Sequence, residues 1–223
     1  MIILPLSLLG LGFLLGVKHA FDADHIAAVS NILIKQHSIK KSSLLGMFWG
    51  FGHTMSLFVV GLIVLLLKIT IPEKVALSME LVVGLMLVLL GVNTLITINK
   101  DGIHIHKHKH GKKEHVHIHS HKTSEYHNHK HIPFYKSLIV GIIHGLAGSA
   151  ALTLLVLTTI NSIFIGLFYI LIFGIGSMIG MSVISAIILL PLKLIPNNFQ
   201  KIHRILSASA GLISILVGLN IVF

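Results

Sequence analysis

The sequence predicts an all-α polytopic membrane protein with six transmembrane helices. Of its 223 residues, 54% are hydrophobic and 11% are charged, and the mean hydropathy is +0.93. A soluble domain needs more polar surface than this composition provides. A spanning helix takes about 20 mostly apolar residues, and the runs of that length are 2–30, 43–67, 76–98, 136–160, 163–191 and 203–223.

The composition also limits the kinds of metal site, partner and activity that the chain can have. The chain has no cysteine, which excludes thiolate metal sites and disulfides. Its 17 Lys and Arg outnumber its 7 Asp and Glu, but this excess lies in loops between apolar runs. Such a distribution fits membrane topology and anionic lipid better than nucleic acid. The sequence contains no glycine-rich phosphate loop and no His-Glu-x-x-His motif. We therefore expect that the protein is not an enzyme. Any transport is expected to be secondary, passive or driven by a partner protein.

The charges in the loops predict the orientation. Basic residues, with Arg204 just beyond the fifth loop, favour the first, third and fifth loops, and basic residues concentrate on the cytoplasmic side of membranes. We therefore expect those loops in the cytoplasm and both termini outside the plasma membrane. The N-terminus lacks the cationic start and the cleavage motif of a signal peptide, so residues 1–17 are expected to belong to the first helix.

The third loop, residues 99–133, is a histidine-rich segment with almost no apolar mass. This composition predicts a disordered cytoplasmic loop that buffers or senses metal, because histidine enrichment is typical of metal-binding tracts. The alternative is a solvated linker. The histidines concerned are His104, His106, His108, His110, His115, His117, His119, His121, His127, His129 and His131.

An internal repeat divides the chain into a first three-helix unit at 1–98, the loop at 99–133, and a second three-helix unit at 134–223. Residues 16–20 align with 141–145, residues 51–53 with 175–177, and residues 84–93 with 211–220. Because each unit has three helices, the second must enter the membrane from the opposite side. This is the inverted-repeat plan of many secondary transporters, whose ion sites lie at the repeat interface.

The first apolar run contains ionisable residues that point to a metal site. His19, Asp22, Asp24 and His25 lie within seven positions, and such residues at membrane depth mark ion paths. On a regular helix His19, Asp22 and His25 share one third of the circumference, whereas Asp24 points away. We therefore expect those three as metal ligands. Asp24 is expected to orient a ligand histidine, or to bind the ion itself if the helix unwinds.

Other candidates follow from the repeat. His144 aligns with His19, and His53 aligns with Ser177, so a pseudo-two-fold axis would bring both histidines to the same site. Taken alone, His144 is equally consistent with a hydrogen bond between helices. Glu80 and Lys18 also lie within or near apolar segments. For Glu80 a proton-coupling role and a solvated helix end are the two interpretations, and Lys18 is a candidate to neutralise the empty site.

At His19-Ala20-Phe21-Asp22-Ala23-Asp24-His25-Ile26 the chain resembles the nickel/cobalt permease (NiCoT) superfamily, whose signature is HxxxxDH in a transmembrane helix. The segment Phe48-Trp49-Gly50-Phe51-Gly52-His53-Thr54 is similar to that family's second motif. The resemblance implies high-affinity Ni²⁺ or Co²⁺ transport across the plasma membrane, with the histidines and aspartates of the first motif essential. Six helices rather than eight make the chain similar to the shorter hydrogenase/urease-accessory permeases and to nickel/cobalt efflux proteins.

These observations favour a permease for nickel(II), with cobalt(II) second, that takes up the ion through the His/Asp site at the repeat interface. The metal is cargo, and no prosthetic group is expected. Expected partners are the lipid bilayer, the metal ion and cytoplasmic nickel chaperones or metalloenzyme maturation proteins. The alternatives are an efflux protein, a membrane scaffold that delivers metal without transporting it, and an intramembrane metalloenzyme.

Overall fold

The computed structural model describes residues 6–33, 36, 38–100, 104–110, 113–119, 132–160, 162–194 and 199–223. Within these ranges the chain forms α-helices and one two-stranded antiparallel sheet. In chain order they are α1 (Leu6–His19), α2 (Ala23–Leu33), α3 (Ile39–Leu67), α4 (Glu73–Lys100), β1 (His104–His110), β2 (Lys113–His119), α5 (Ile132–Thr159), α6 (Ile163–Leu194) and α7 (Phe199–Val222).

The helices are those of a membrane-embedded protein. In the described part of the chain, four are long and apolar enough to cross a bilayer: Ile39–Leu67, Glu73–Ile98, Ile163–Leu190 and Arg204–Val222. Two further apolar segments, Ser7–His19 and Phe134–Gly148, are shorter. Large apolar side chains such as Leu66 and Leu89 lie exposed on the outer surface, which suits a lipid environment better than water.

The first predicted span is interrupted. Residues 20–22 form a tight turn in which the N–H groups of Phe21 and Asp22 donate to the carbonyls of Lys18 and His19 at 2.9 Å and 3.1 Å. The next helix then begins at Ala23, and the carbonyl of Asp22 accepts from the N–H of Ile26. Acidic residues at a helix start favour this break, because they offset the positive end of the helix dipole. Gly16, a possible site for a break in this span, lies within α1.

Gly16 serves packing instead. A Cβ at this position would overlap the carbonyl of Phe173 on α6, so α1 can approach α6 only because the side chain is absent. Gly141 on α5 has the same relationship to the carbonyl of Trp49 on α3. Small residues of this kind allow close helix contact where no hydrophobic driving force operates within lipid.

The pair α4–α7 is held by reciprocal glycine contacts. A Cβ at Gly84 would meet the carbonyl of Gly218, and one at Gly218 would meet the carbonyl of Gly84. Gly91 and Gly211 are related in the same way. The hydroxyl of Ser214 also donates to the carbonyl of Leu87 at 2.8 Å. Elsewhere α3 packs against α5 and α6, and α1 against α6. Trp49 and Ala20 are buried in this packing, whereas Phe21 and Asp22 of the turn are exposed.

The histidine-rich loop differs from the expected disorder between residues 104 and 119. The strands β1 and β2 pair antiparallel, with His104 opposite His119 and His108 opposite His115. In the sequence, histidine alternates with another residue over 104–110 and again over 115–119. A period of two favours extended backbone, and the expectation of disorder followed from composition alone.

Candidate metal site

Four histidines from different helices surround the turn at 20–22. His19 ends α1, His25 lies in the first turns of α2, and His53 and His144 lie in α3 and α5. The ring centroid of His25 is 4.5 Å from that of His19, 5.2 Å from that of His53 and 4.2 Å from that of His144. The turn makes this possible, because it directs the first residues of α2 back toward α3 and α5.

Three of these imidazoles form a group suited to one ion. Ligand atoms of His19, His25 and His53 lie within 4.8 Å of one another. Among the described residues, neither nitrogen of the fully buried His53 has a hydrogen-bond partner, and Nε2 of His25 has none. Buried polar atoms are normally paired, so these open nitrogens require an explanation. A bound cation with a preference for imidazole would satisfy them.

Carboxylates orient two of the three rings. Nδ1 of His19 lies 2.8 Å from Oδ2 of Asp22, and Nδ1 of His25 lies 3.0 Å from Oδ1 of Asp24. Because an ionised carboxylate only accepts, each Nδ1 carries the proton and each Nε2 keeps its lone pair. This carboxylate–histidine arrangement is the one that usually fixes the ring of a metal ligand.

Asp24 has a second partner. Its Oδ2 accepts from Nε2 of His144 at 2.9 Å, and its Oδ1 also accepts from the backbone N–H of His25 at 2.9 Å. Ligand atoms of Asp24, His25 and His144 form a second group within 4.8 Å. In the described structure Nδ1 of His144 is buried without a hydrogen-bond partner.

The two aspartates therefore differ from the expectation for a regular helix. On a regular helix Asp22 would share the face of the ligand histidines and Asp24 would point away from them. Because the turn at 20–22 interrupts the helix, these directions do not apply. The side chain of Asp22 is 50% exposed and contacts His19, whereas that of Asp24 is 29% exposed and contacts two imidazoles.

Trp49 is a site neighbour that the sequence analysis did not single out. Its fully buried ring stacks on His25 at a centroid distance of 5.5 Å and meets His144 edge-on at 5.6 Å. The available signal is its spacing: Trp49 precedes His53 by four residues, which places both on one face of a helix.

Glycines of α5 form another wall of the site. A Cβ at Gly145 would overlap the carbonyl of His53. At Gly148, a Cβ would lie 3.6 Å from Nε2 of His19 and 3.7 Å from Cε1 of His53. The free nitrogen of His19 therefore faces a backbone with no side chain, which leaves room for an ion.

The remaining candidates lie elsewhere. Glu80 is exposed on α4 and Lys18 is exposed near the end of α1, and the two ligand groups found among the described residues include neither. His121, His127, His129 and His131 lie outside the described residues. The other loop histidines belong to β1 and β2.

Buried imidazoles with carboxylates against two of them, at a helix break in a helical membrane protein, are an arrangement that suits a metal ion. The profile of the NicO family, described as high-affinity nickel-transport protein, matches residues 5–223. The chain therefore belongs to this family, which confirms the resemblance to nickel permeases. The family is one of transporters and not of enzymes.

The chain is also similar to individual proteins. The chain is 38% identical over 218 residues to the urease accessory protein UreH of Bacillus sp. (strain TB-90), covering 98% of this chain and 91% of that protein. It is 42% identical over 57 residues to the nickel transporter NixA of Staphylococcus aureus, covering 24% and 17%. It is 26% identical over 218 residues to the Arabidopsis thaliana chloroplast protein FOR GROWTH AND FERTILITY 1, covering 95% and 57%. No solved structure matches the chain significantly.

Proposed function

We propose that this chain is a permease that takes up nickel(II), with cobalt(II) as second cargo, through the His/Asp site around residues 20–22. The observation that carries the proposal is the convergence of His19, His25 and His53, whose ligand atoms lie within 4.8 Å of one another. The open nitrogens of His25 and His53 are buried, and the chain belongs to a family of nickel transporters. Imidazole ligands suit nickel, as they suit zinc, copper and iron, whereas carboxylate and carbonyl sites suit magnesium and calcium.

The site lies between two inverted three-helix repeats in this proposal. Reciprocal contacts support it, because each contact has a counterpart at the aligned positions of the other half. Gly84 contacts Gly218 as Gly211 contacts Gly91 at the aligned positions. Ser214 donates a hydrogen bond to Leu87, the residue of the other half with which it is aligned. The contacts between the first helix of one unit and the second helix of the other are matched in the same way. Gly16 contacts Phe173 as Gly141 contacts Trp49, and Gly176 contacts Phe13 as Gly52 contacts Leu138.

Contacts of this kind are those expected of a two-fold axis in the membrane plane. Rocking of one repeat against the other would expose the site alternately to the two sides. His144 is then the residue through which the second repeat reaches the ion, since His19, His25 and His53 all belong to the first.

The orientation proposed from the lysines places the histidine-rich loop in the cytoplasm and both termini outside. In that orientation the loop's histidines bind nickel after it crosses the membrane and limit its release. Cytoplasmic nickel chaperones or metalloenzyme maturation proteins would then take the metal from the loop. The similarity to a urease accessory protein supports this last step, because the name of that relative links it to an enzyme.

Radiolabelled nickel flux into proteoliposomes containing only this protein tests the proposal. Wild type should show saturable flux, His25→Ala should abolish it, and excess cobalt should compete more strongly than zinc or manganese. Ser137→Ala is the matched control, since Ser137 is buried on α5 and donates to the carbonyl of Leu45, away from the ligands. Full flux through a folded His25→Ala protein would overturn the proposal.

A second candidate function is delivery of nickel to a partner without transport, which the similarity to a urease accessory protein favours. Tight nickel binding by purified protein, with no flux in either direction, would establish it. Efflux is the opposite direction of the same permease, and deletion of residues 101–132 separates the two. For uptake the deletion should lower metal accumulation in cells, and for efflux it should lower metal tolerance.

A further inference from the structure

The two ligand groups of the metal site meet at one residue. His19, His25 and His53 form the first group, called here the tri-histidine position, and Asp24, His25 and His144 form the second, called the carboxylate position. The geometry points to two successive ion positions that share His25, between which the ion is handed over during transport. This inference rests on the proposed function, because it divides that permease's ion path into two steps.

The shared imidazole cannot serve both positions at once. A neutral imidazole has one nitrogen with a lone pair and one with a hydrogen. When the ion is in the tri-histidine position, Nε2 of His25 binds it and Nδ1–H donates to Asp24, as in the 3.0 Å contact of the structure. When the ion is in the carboxylate position, Nδ1 binds and the proton is on Nε2. The net protonation of the site is unchanged, and the positions exclude each other.

The two positions belong to different parts of the fold. The tri-histidine position takes its ligands from α1, α2 and α3, all in the first half, whereas the carboxylate position adds His144 from α5 in the second half. Only the carboxylate position therefore takes ligands from both halves of the chain. Passage of the ion to that position adds a ligand from the second half.

The charges of the two positions differ as well. The tri-histidine position offers three neutral nitrogens, and the carboxylate position replaces one of them by an anionic oxygen. The ring centroids of His53 and His144, one from each position, are 6.2 Å apart, and the centroid of His25 is 5.2 Å from the first and 4.2 Å from the second. The change of position is therefore a short displacement, in which the ion leaves Nε2 of His25 and binds Nδ1, while the ring proton passes from Nδ1 to Nε2.

The test uses the full-length purified chain, nickel as the only probe, and two single variants. His53→Ala removes a ligand of the tri-histidine position, and His144→Ala removes one of the carboxylate position. Binding is followed by quenching of Trp49, which stacks on His25 and is the chain's one tryptophan, so that the loop histidines do not contribute. Nickel X-ray absorption then identifies the ligands, with His25→Ala providing the background from the loop.

Each single variant should still bind nickel at the position whose ligands it keeps, with a higher Kd than wild type. The His144→Ala site should contain nitrogen ligands, and the His53→Ala site should contain a carboxylate oxygen. Wild type should bind one ion more than His25→Ala, and flux should be lost in both single variants while Ser137→Ala retains it.

Abolished quenching in either single variant would indicate one composite site and overturn the inference. Two ions bound in wild type beyond the His25→Ala background would overturn the mutual exclusion. Wild-type flux in a single variant that binds nickel would overturn the handover. If all binding results hold but wild type carries no flux, the permease proposal fails while the two binding positions stand.

Discussion

Asp24 and His144 join the two halves of the chain at the candidate metal site. Oδ2 of Asp24 accepts from Nε2 of His144 at 2.9 Å, across 120 residues of sequence. The same carboxylate accepts from Nδ1 of His25 through Oδ1. One side chain therefore sets the ring orientation of two imidazoles on different helices, while Asp22 contacts only the ring of His19 in the described structure.

Asp24→Asn should weaken nickel binding more than Asp22→Asn. An amide has one accepting oxygen in place of two, so one of the two imidazoles loses its acceptor and rotates. Loss of such an orienting partner typically costs about 10- to 100-fold in metal affinity. Isothermal titration of both variants with nickel, together with flux in proteoliposomes, measures the difference. An equal or larger loss in Asp22→Asn would contradict the assignment.

Gly16→Ala should destabilise the fold, whereas Gly10→Ala on the same helix should not. A Cβ at Gly16 overlaps the carbonyl of Phe173, but a Cβ at Gly10 has nothing within 4 Å. Forced separation of α1 and α6 should lower the free energy of unfolding by about 1–3 kcal/mol. Gly10→Ala should be neutral or raise it by up to about 1 kcal/mol, through helix propensity. Thermal unfolding in detergent reports both, and equal melting temperatures would contradict the contact.

Length and hydropathy predicted the long helices because a bilayer imposes both on a spanning segment. The predicted run 43–67 corresponds to α3 at Ile39–Leu67, and 163–191 to α6 at Ile163–Leu194. The break in the first run was harder to locate. Asp22 and Asp24 indicate that a new helix starts here. Acidic residues beside histidines also indicate a metal site, and the two aspartates were interpreted only in that second way.

The candidate site was also predicted only in part. His19, His25, His53 and His144 could be named from spacing, motif and repeat, and the structure places them together. The sequence predicts that Asp24 orients a ligand histidine, but its contact with two imidazoles depends on where the helix turns, which spacing does not specify. The contact of Trp49 with His25 depends on how α3 packs against α2, which periodicity does not specify.

Cysteines introduced at 87 and 214 should form a cross-link. The hydroxyl of Ser214 donates to the carbonyl of Leu87 at 2.8 Å, and the natural chain has no cysteine that could interfere. Leu87→Cys/Ser214→Cys should therefore give an intramolecular disulfide under mild oxidation, seen as a shift in electrophoretic mobility. Leu89→Cys/Ser214→Cys is the control, since Leu89 is 68% exposed on the outer surface. Efficient cross-linking of the control pair alone would contradict the packing of α4 against α7.

Nickel should quench the fluorescence of Trp49, whereas zinc should not. The ring of Trp49 stacks on that of His25 at 5.5 Å with an interplanar angle of 26°, so an ion on His25 lies close to the indole. Nickel(II) has a partly filled d shell that offers excited indole a route to lose energy, and zinc(II) is d¹⁰ and offers none. Because the chain has one tryptophan, the signal comes from this site alone.

The quenching should saturate with nickel and should disappear in His25→Ala. It should persist after deletion of residues 101–132, because the loop histidines are not needed for an ion to reach His25. Zinc added first should block quenching by nickel if both ions use the same ligands, and the zinc concentration that halves it gives the relative affinity. Unchanged quenching in His25→Ala would show that nickel binds near Trp49 by other ligands, and the assignment of the site to the turn at 20–22 would then be wrong.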